Sequence, residues 1–216
     1  MEHLSLFPLR TVLFPRATMP LHIFEERYKL MIACCIEQRT PFGVVLIRSG
    51  EEVGETAEPY GVGTTARIAQ VERLPDGRMN LIARGERRFR ILALDTTEPY
   101  LQGDVDVLES QDVDAPGVSA AAVRVAALFG EEQRLALAIS GQWWRQLDLP
   151  ADADALADFV AGSADLPSEE RQTLLETLSL PARLDRLAVL LKVRVRTLTE
   201  LWEEKRRKEF AGERLN

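Results

Sequence analysis

The run Leu6-Phe7-Pro8-Leu9-Arg10-Thr11-Val12-Leu13-Phe14-Pro15 and, just after it, Pro20-Leu21-His22-Ile23-Phe24-Glu25-Glu26-Arg27-Tyr28 decide the fold. Two apolar, proline-bracketed segments lead straight into a helical pattern. Proline fixes φ and has no N–H to give a ladder, so Pro8, Pro15 and Pro20 belong at strand starts, strand edges or turns. The segments therefore predict short, bent strands. From Glu25 the apolar residues Tyr28, Met31, Ile32, Cys35 and Ile36 recur at helical spacing and predict a helix from Glu25 to Gln38 with one buried face.

The strand pattern continues outward from this start. Pro41-Phe42-Gly43-Val44-Val45-Leu46-Ile47 has the composition of a buried strand, and Tyr60 to Ile68 that of a loop entering another. Asp76-Gly77 is the best turn signal, joining Ala66–Leu74 to Arg78–Arg84 as a hairpin. Alternation is clearest in Arg88-Phe89-Arg90-Ile91-Leu92-Ala93-Leu94, and Gly103-Asp104-Val105-Asp106-Val107 adds a further strand. So many short strands leave edges that closure into a barrel-like form would relieve.

The character changes at Glu109 to Gly117, a polar stretch punctuated by Pro116 and Gly117 that predicts a linker. Ala- and Leu-rich helical sequence follows, with breaks expected near Gly130 or Gly141 and again around Pro150. Ser168, between Pro167 and Glu169-Glu170, is the expected N-cap of another helix. From Pro181 onward Leu184, Ala188, Leu191, Val195, Leu198 and Trp202 step by threes and fours, one apolar stripe along a long helix that reaches about Phe210.

In order and spacing these segments resemble the N-terminal domain of Lon proteases. The resemblance begins at Leu6–Tyr28, continues through Pro41–Ile47, Tyr60–Ile68, Asp76-Gly77-Arg78 and Gly85-Glu86-Arg87-Arg88-Phe89-Arg90-Ile91, and resumes at Leu156–Ala161, Glu170–Leu178 and Ala182–Leu187. It covers nearly the whole chain. It implies an α+β fold: a partly closed, PUA-like β subdomain with one helix over residues 1–110, then a helical bundle over 118–216 that ends in a long helix. It also implies a non-enzymatic module that binds unfolded or degron-bearing polypeptides in protein quality control, with a Lon-type or other protease as a further partner.

Composition agrees with a folded, non-membrane protein. At 216 residues and 46% apolar content the chain can bury a sizeable core. The net charge of −7 argues against a mainly electrostatic partnership with nucleic acid or anionic membrane. No run is long enough for a membrane span, and the N-terminus lacks a basic region followed by an uninterrupted apolar stretch, so cytoplasmic residence is expected. Cys34 and Cys35 are adjacent on the predicted helix, point apart, and are expected as reduced, packed thiols.

Catalytic and cofactor motifs are missing. Gly61-Val62-Gly63-Thr64-Thr65-Ala66 matches a dinucleotide fingerprint, G-x-G-x-x-A, but that chemistry needs a helix N-terminus after the glycines, and here the sequence leads toward a hairpin. These 216 residues contain no G-x-x-x-x-G-K-[ST] phosphate loop, and none of the four lysines sits in a motif matching the serine–lysine peptidase of Lon. His3 and His22 have no Cys or His partners at ligand spacing. The expectation is a chain without ATPase and peptidase domains, catalytic residues, cofactor or metal.

Two groups of residues remain as candidates for binding. Phe14, Met19, Met79, Trp143 and Trp144 are large and apolar beside polar or turn residues, and are the expected polypeptide-binding surface. Burial of a client's apolar side chains would be supplemented by strand addition at an exposed edge. Arg84, Arg87, Arg88 and Arg90 form the sharpest charge cluster, with Arg88 and Arg90 on one strand face above Phe89 and Ile91. That cluster suits a solvated sheet face, an acidic protein or RNA, and an RNA-binding sheet is the alternative function.

Overall fold

In the computed structural model the described residues are 2–50, 57–143 and 147–213. They form β1 (Glu2–Leu9), β2 (Thr18–Ile23), α1 (Glu26–Gln38), β3 (Phe42–Ser49), β4 (Glu58–Arg73), β5 (Met79–Asp95), β6 (Gln102–Leu108), α2 (Val118–Ser140), α3 (Ala153–Ser163), α4 (Ser168–Glu176) and α5 (Leu180–Glu213). The fold is α+β, with a mixed sheet and five helices. Two compact units divide the chain: one holds residues 1–111 and 161–178, the other 112–160 and 179–216. The first crossing point falls inside the expected linker. The segment 161–178, which chain order assigns to the helical half, counts with the sheet.

In the first unit the strands run in the order β2-β5-β4-β3-β1-β6, and a further pairing of β5 with β6 closes the ring. Length makes this possible. The N-terminal part of β5 pairs with β2, from Thr18 opposite Arg84 to Ile23 opposite Met79, and the C-terminal part pairs with β6, from Arg88 opposite Leu108 to Asp95 opposite Gln102. Among the described strands only β1 and β3 pair in parallel. The prolines sit where the ladder has no use for their missing N–H: Pro8 pairs with β3 beyond the stretch of β1 that pairs with β6, and Pro20 lies in β2, which has β5 as its one neighbour among the described strands.

Two sets of buried side chains fill this unit. Leu4, Leu6, Val45, Phe89 and Val105 pack together inside the ring. On the other side Phe7, Leu9, Phe42, Leu81 and neighbours pack against Tyr28, Met31, Ile32 and Cys35 of α1, the face expected from the helical spacing. The predicted loop at Tyr60–Ile68 is instead part of β4. Its glycine serves packing: a Cβ on Gly63 would stand 2.7 Å from Phe89 Cζ, so the fingerprint-like pattern makes room for a core ring. The connection from β1 to β2 is pinned on the sheet, since Thr64 Oγ1 donates to the Leu13 carbonyl at 2.6 Å and the Gly85 N–H to that of Ala17 at 2.9 Å.

Segment 161–178 is fastened to the strands of its own unit by polar contacts. Gln172 Nε2 donates to the Val62 carbonyl at 2.9 Å, and Arg88 Nε donates to the Leu175 carbonyl at 3.0 Å, near the end of α4 where carbonyls lack helical partners. Ser168 is not the expected N-cap. Pro167 takes that position, and the Ser168 hydroxyl donates to the Arg10 carbonyl at 3.3 Å.

In the second unit α2 and α5 run parallel, tied by Arg124 to Asp185 at 2.9 Å, Arg194 to Glu132 at 3.4 Å and Lys205 Nζ to the Ile139 carbonyl at 2.8 Å. The α5 stripe is buried at Leu184, Ala188, Leu191 and Leu198, and half-buried at Val195 and Trp202. Helix α2 passes through Gly130 and stops at Gly141, whose φ of 72° ends it in the left-handed conformation. In the first turn of α5 the fully buried Arg183 is held by Asp154 and, at 3.3 Å, by Asp158, both of α3.

Candidate polypeptide-binding surface

The far ends of β1, β2 and β4 and the start of β5, with both ends of α1, form a shallow surface in the first unit. Three hollows share its residues. One of about 450 Å³ is lined by Pro20, Leu21, His22, Val71, Asn80 and Ile82. A second, about 270 Å³, continues from Pro20–His22 to Phe7, Phe24 and Tyr28. A third, about 350 Å³, continues from Gln70 and Val71 to Ile36, Arg39 and Ile68.

Register explains the make-up of this surface. Opposed residues in an antiparallel pair share a face, so Leu21, Leu81 and Val71 stand in one row, and Met19, Ala83 and Ile68 in the next. Leu81 and Ala83 are buried, Met19, Leu21 and Ile68 are partly buried, and Val71 at the margin is 42% exposed. The opposite face carries polar rows. His22 Nδ1 lies 2.7 Å from Asn80 Oδ1, and Asn80 Nδ2 donates to Glu72 Oε2 at 3.0 Å. With the Asn80 amide nitrogen facing the carboxylate, its oxygen is the acceptor, so Nδ1 of His22 carries the proton. Phe24 is 48% exposed beyond β2, its ring stacked 6.1 Å from that of His22.

The chemistry on offer is apolar contact plus main-chain hydrogen bonding. Burial pushes the Cys35 thiol, which borders the third hollow, above its usual range, so it is a neutral packing group. Among the described residues no group of three or more His, Cys, Asp or Glu could hold a metal ion, and no helix is long and apolar enough to cross a membrane.

The residues singled out from sequence are scattered. Phe14 is fully buried in the β1–β2 connection, against the backbone of Gly85 and beside Gly162, and Met79 is buried in the core beside α1. Neither can meet a client, because the polar and turn residues flanking them mark chain reversals over the core, not exposure. Met19 of β2 is partly buried against the same core and lines none of the three hollows. Trp143 is 96% exposed in the second unit, just past the end of α2, and Trp144 lies outside the described residues. Leu21, Phe24, Val71 and Ile82 line the hollows without having been among the expected binding residues, and Pro20 inside a strand pattern is the sequence signal that marks β2 as an edge.

The arginine cluster is also dispersed. Arg88 is only 4% exposed and is spent on the Leu175 carbonyl, and Arg87 meets Glu2 at 3.1 Å. Arg90 is exposed opposite Asp106 of β6, and Arg84 is exposed opposite Thr18 of β2. Phe89 does lie beneath, fully buried.

Comparison with known proteins places this fold. The family model for the substrate-binding domain of ATP-dependent protease La (Lon) matches residues 3–193. The chain belongs to that family of Lon substrate-binding domains. The Lon protease of Anaeromyxobacter dehalogenans is 30% identical over 184 residues, 84% of this chain and 22% of the relative. That of Paraburkholderia phytofirmans is 32% identical over 189 residues, 86% of this chain and 24% of the relative. The chain thus spans less than a quarter of the length of these curated relatives, and the matched part is the substrate-binding domain, with no protease domain in it. Among solved structures, the Lon N-terminal domain protein from Xanthomonas campestris superposes with a TM-score of 0.64 at 28% identity, covering 88% of this chain and 98% of that one. The N-terminal domain of a Mycobacterium avium complex Lon protease has the same fold, with a TM-score of 0.67 at 20% identity and the same coverages.

Proposed function

We propose that the protein is a non-enzymatic module that binds unfolded or degron-bearing polypeptides in cytoplasmic protein quality control, presenting them to a Lon-type protease. The observation that carries this reading is the exposed surface around β2, where Leu21, Phe24, Val71 and Ile82 border three hollows that share lining residues and carry polar groups such as His22 and Asn80 among the apolar ones. Family membership supports substrate binding as the role. The burial of Arg88 and the pairing of Arg87 weigh against the alternative of an RNA-binding sheet. Apolar burial contributes roughly 25 cal/mol per Å², and association entropy offsets much of it, so a shallow surface gives about micromolar affinity.

Titration of a fluorescent, unfolded protein and of single-stranded RNA at two ionic strengths tests the proposal. The polypeptide binds at both with little change, since apolar contact is weakly screened. Tight RNA binding that falls steeply with salt, without polypeptide binding, would replace this function with the RNA-binding one.

A further inference from the structure

We infer that β2 captures a client by strand addition along its open edge, and that the client segment is extended, apolar and acidic toward its C-terminal end. This rests on the polypeptide-binding reading above and specifies how that surface works.

The direction of each main-chain group in β2 follows from one bond. The Gly85 N–H donates to the Ala17 carbonyl at 2.9 Å, and the pairing of β2 with β5 continues in that register without a shift, Thr18 opposite Arg84 and Met19 opposite Ala83. Antiparallel ladders alternate between bonded and outward-facing pairs. Met19, Leu21 and Ile23 therefore bond to β5, and Thr18, Pro20 and His22 turn their main-chain groups to the open side. Pro20 fits this phase, because a proline facing β5 would break the ladder. The open edge thus offers N–H donors at Thr18 and His22 and carbonyl acceptors at Thr18, Pro20 and His22.

This pattern selects the occupant. In a second copy pairing antiparallel about Pro20, the two Pro20 carbonyls would face each other with no N–H between them, and each unmade buried bond is costly. A foreign strand has an N–H to offer opposite Pro20. Its alternate side chains fall on the core side, where the 270 Å³ hollow beside Leu21, Phe24 and Tyr28 opens. Charge sets the polarity. Thr18, Arg84 and Arg67 form one row across the sheet; Arg67 is paired with Glu86 at 2.8 Å, whereas Arg84 is exposed and has no ion-pair partner among the described residues. A strand added antiparallel to β2 brings its C-terminal end beside Thr18, so an acidic side chain there meets Arg84. The Glu72 carboxylate lies at the opposite end, in the row of His22 and Asn80.

The test uses the full chain and two probes: a short, amidated, fluorescent peptide of alternating Val and Thr with Asp at its C-terminal end, and a reduced, alkylated unfolded protein. Thr18→Pro removes one outward donor and leaves the β5 ladder intact, and should weaken peptide binding about threefold to tenfold, the worth of a single hydrogen bond. Pro20→Val supplies the missing donor, and should tighten binding by a similar factor and raise self-association above wild type. That gain cannot come from misfolding. Arg84→Glu should abolish the preference for this peptide over one with Asp at the N-terminal end. If wild type binds the unfolded protein but Thr18→Pro and Pro20→Val bind the peptide as wild type does, strand addition is wrong and apolar docking stands. If wild type binds neither probe, both fail.

Discussion

Gly63 of β4 lies directly under the ring of Phe89 of β5, close enough that a Cβ on the glycine would stand 2.7 Å from Phe89 Cζ and closer still to the Val44 carbonyl. Phe89 is fully buried inside the ring of strands, and Gly43 faces it with the same clearance, 2.7 Å. The closed barrel and the bare backbone positions therefore depend on one another. Gly63→Ala should destabilise by about 1–3 kcal/mol or more, as overpacking does. Gly61→Ala, with no atom within 4 Å of its Cβ, should be neutral or slightly stabilising. Urea melts of the pair check this, and equal effects would mean that Phe89 can move aside.

Arg88 is structural and not a contact residue. Arg88→Ala should cost about 1–3 kcal/mol by leaving the Leu175 carbonyl of α4 without its donor. Arg84→Ala and Arg90→Ala, both at exposed positions, should stay within about 0.5 kcal/mol of wild type. Denaturant melts of the three variants suffice. A neutral Arg88→Ala would return that side chain to the candidate anion surface.

These two sites show how far the sequence was legible. Periodicity identified α1, the α5 stripe and the Asp76-Gly77 hairpin, because each depends on local spacing or on a single turn: Gly77 has a φ of 82° and Asp76 Oδ1 accepts from the Arg78 N–H at 3.1 Å. Alternation also put Arg88 and Arg90 on one face. It could not say what covers that face, since segment 161–178 comes from a distant part of the chain. Phe14 is buried for the same reason: its backbone packs on Gly85 and its ring on Gly162, neither of them near in sequence. The surface around β2 draws on four strands and a helix, and none of the expected residues lines its hollows.

In the second unit the buried stripe of α5 holds the helices together. Leu191 is fully buried there, so Leu191→Ala should cost about 2–5 kcal/mol. A loss below about 0.5 kcal/mol, the scale of surface substitutions, would place that face against solvent.

His3 of β1 stands opposite Asp104 of β6, with Nδ1 and Oδ1 2.8 Å apart, and the hydrogen bond to that carboxylate raises the imidazole pKa above its ordinary 6.5. The contact favours the folded state at pH below the unfolded value and is lost as pH rises through the raised folded value. A histidine NMR titration should give a midpoint above 6.5 that falls back in Asp104→Asn. An unchanged midpoint in that variant would mean that the carboxylate of Asp104 does not hold the imidazole.

The most direct measurement of the central claim is amide chemical-shift mapping of the labelled protein against an unfolded polypeptide. Shifts should gather at Met19, Leu21, His22, Phe24, Val71 and Ile82, with Phe14 and Met79 moving little. Shifts centred instead on Arg84, Arg87 and Arg90 with RNA, and none around β2 with polypeptide, would contradict it.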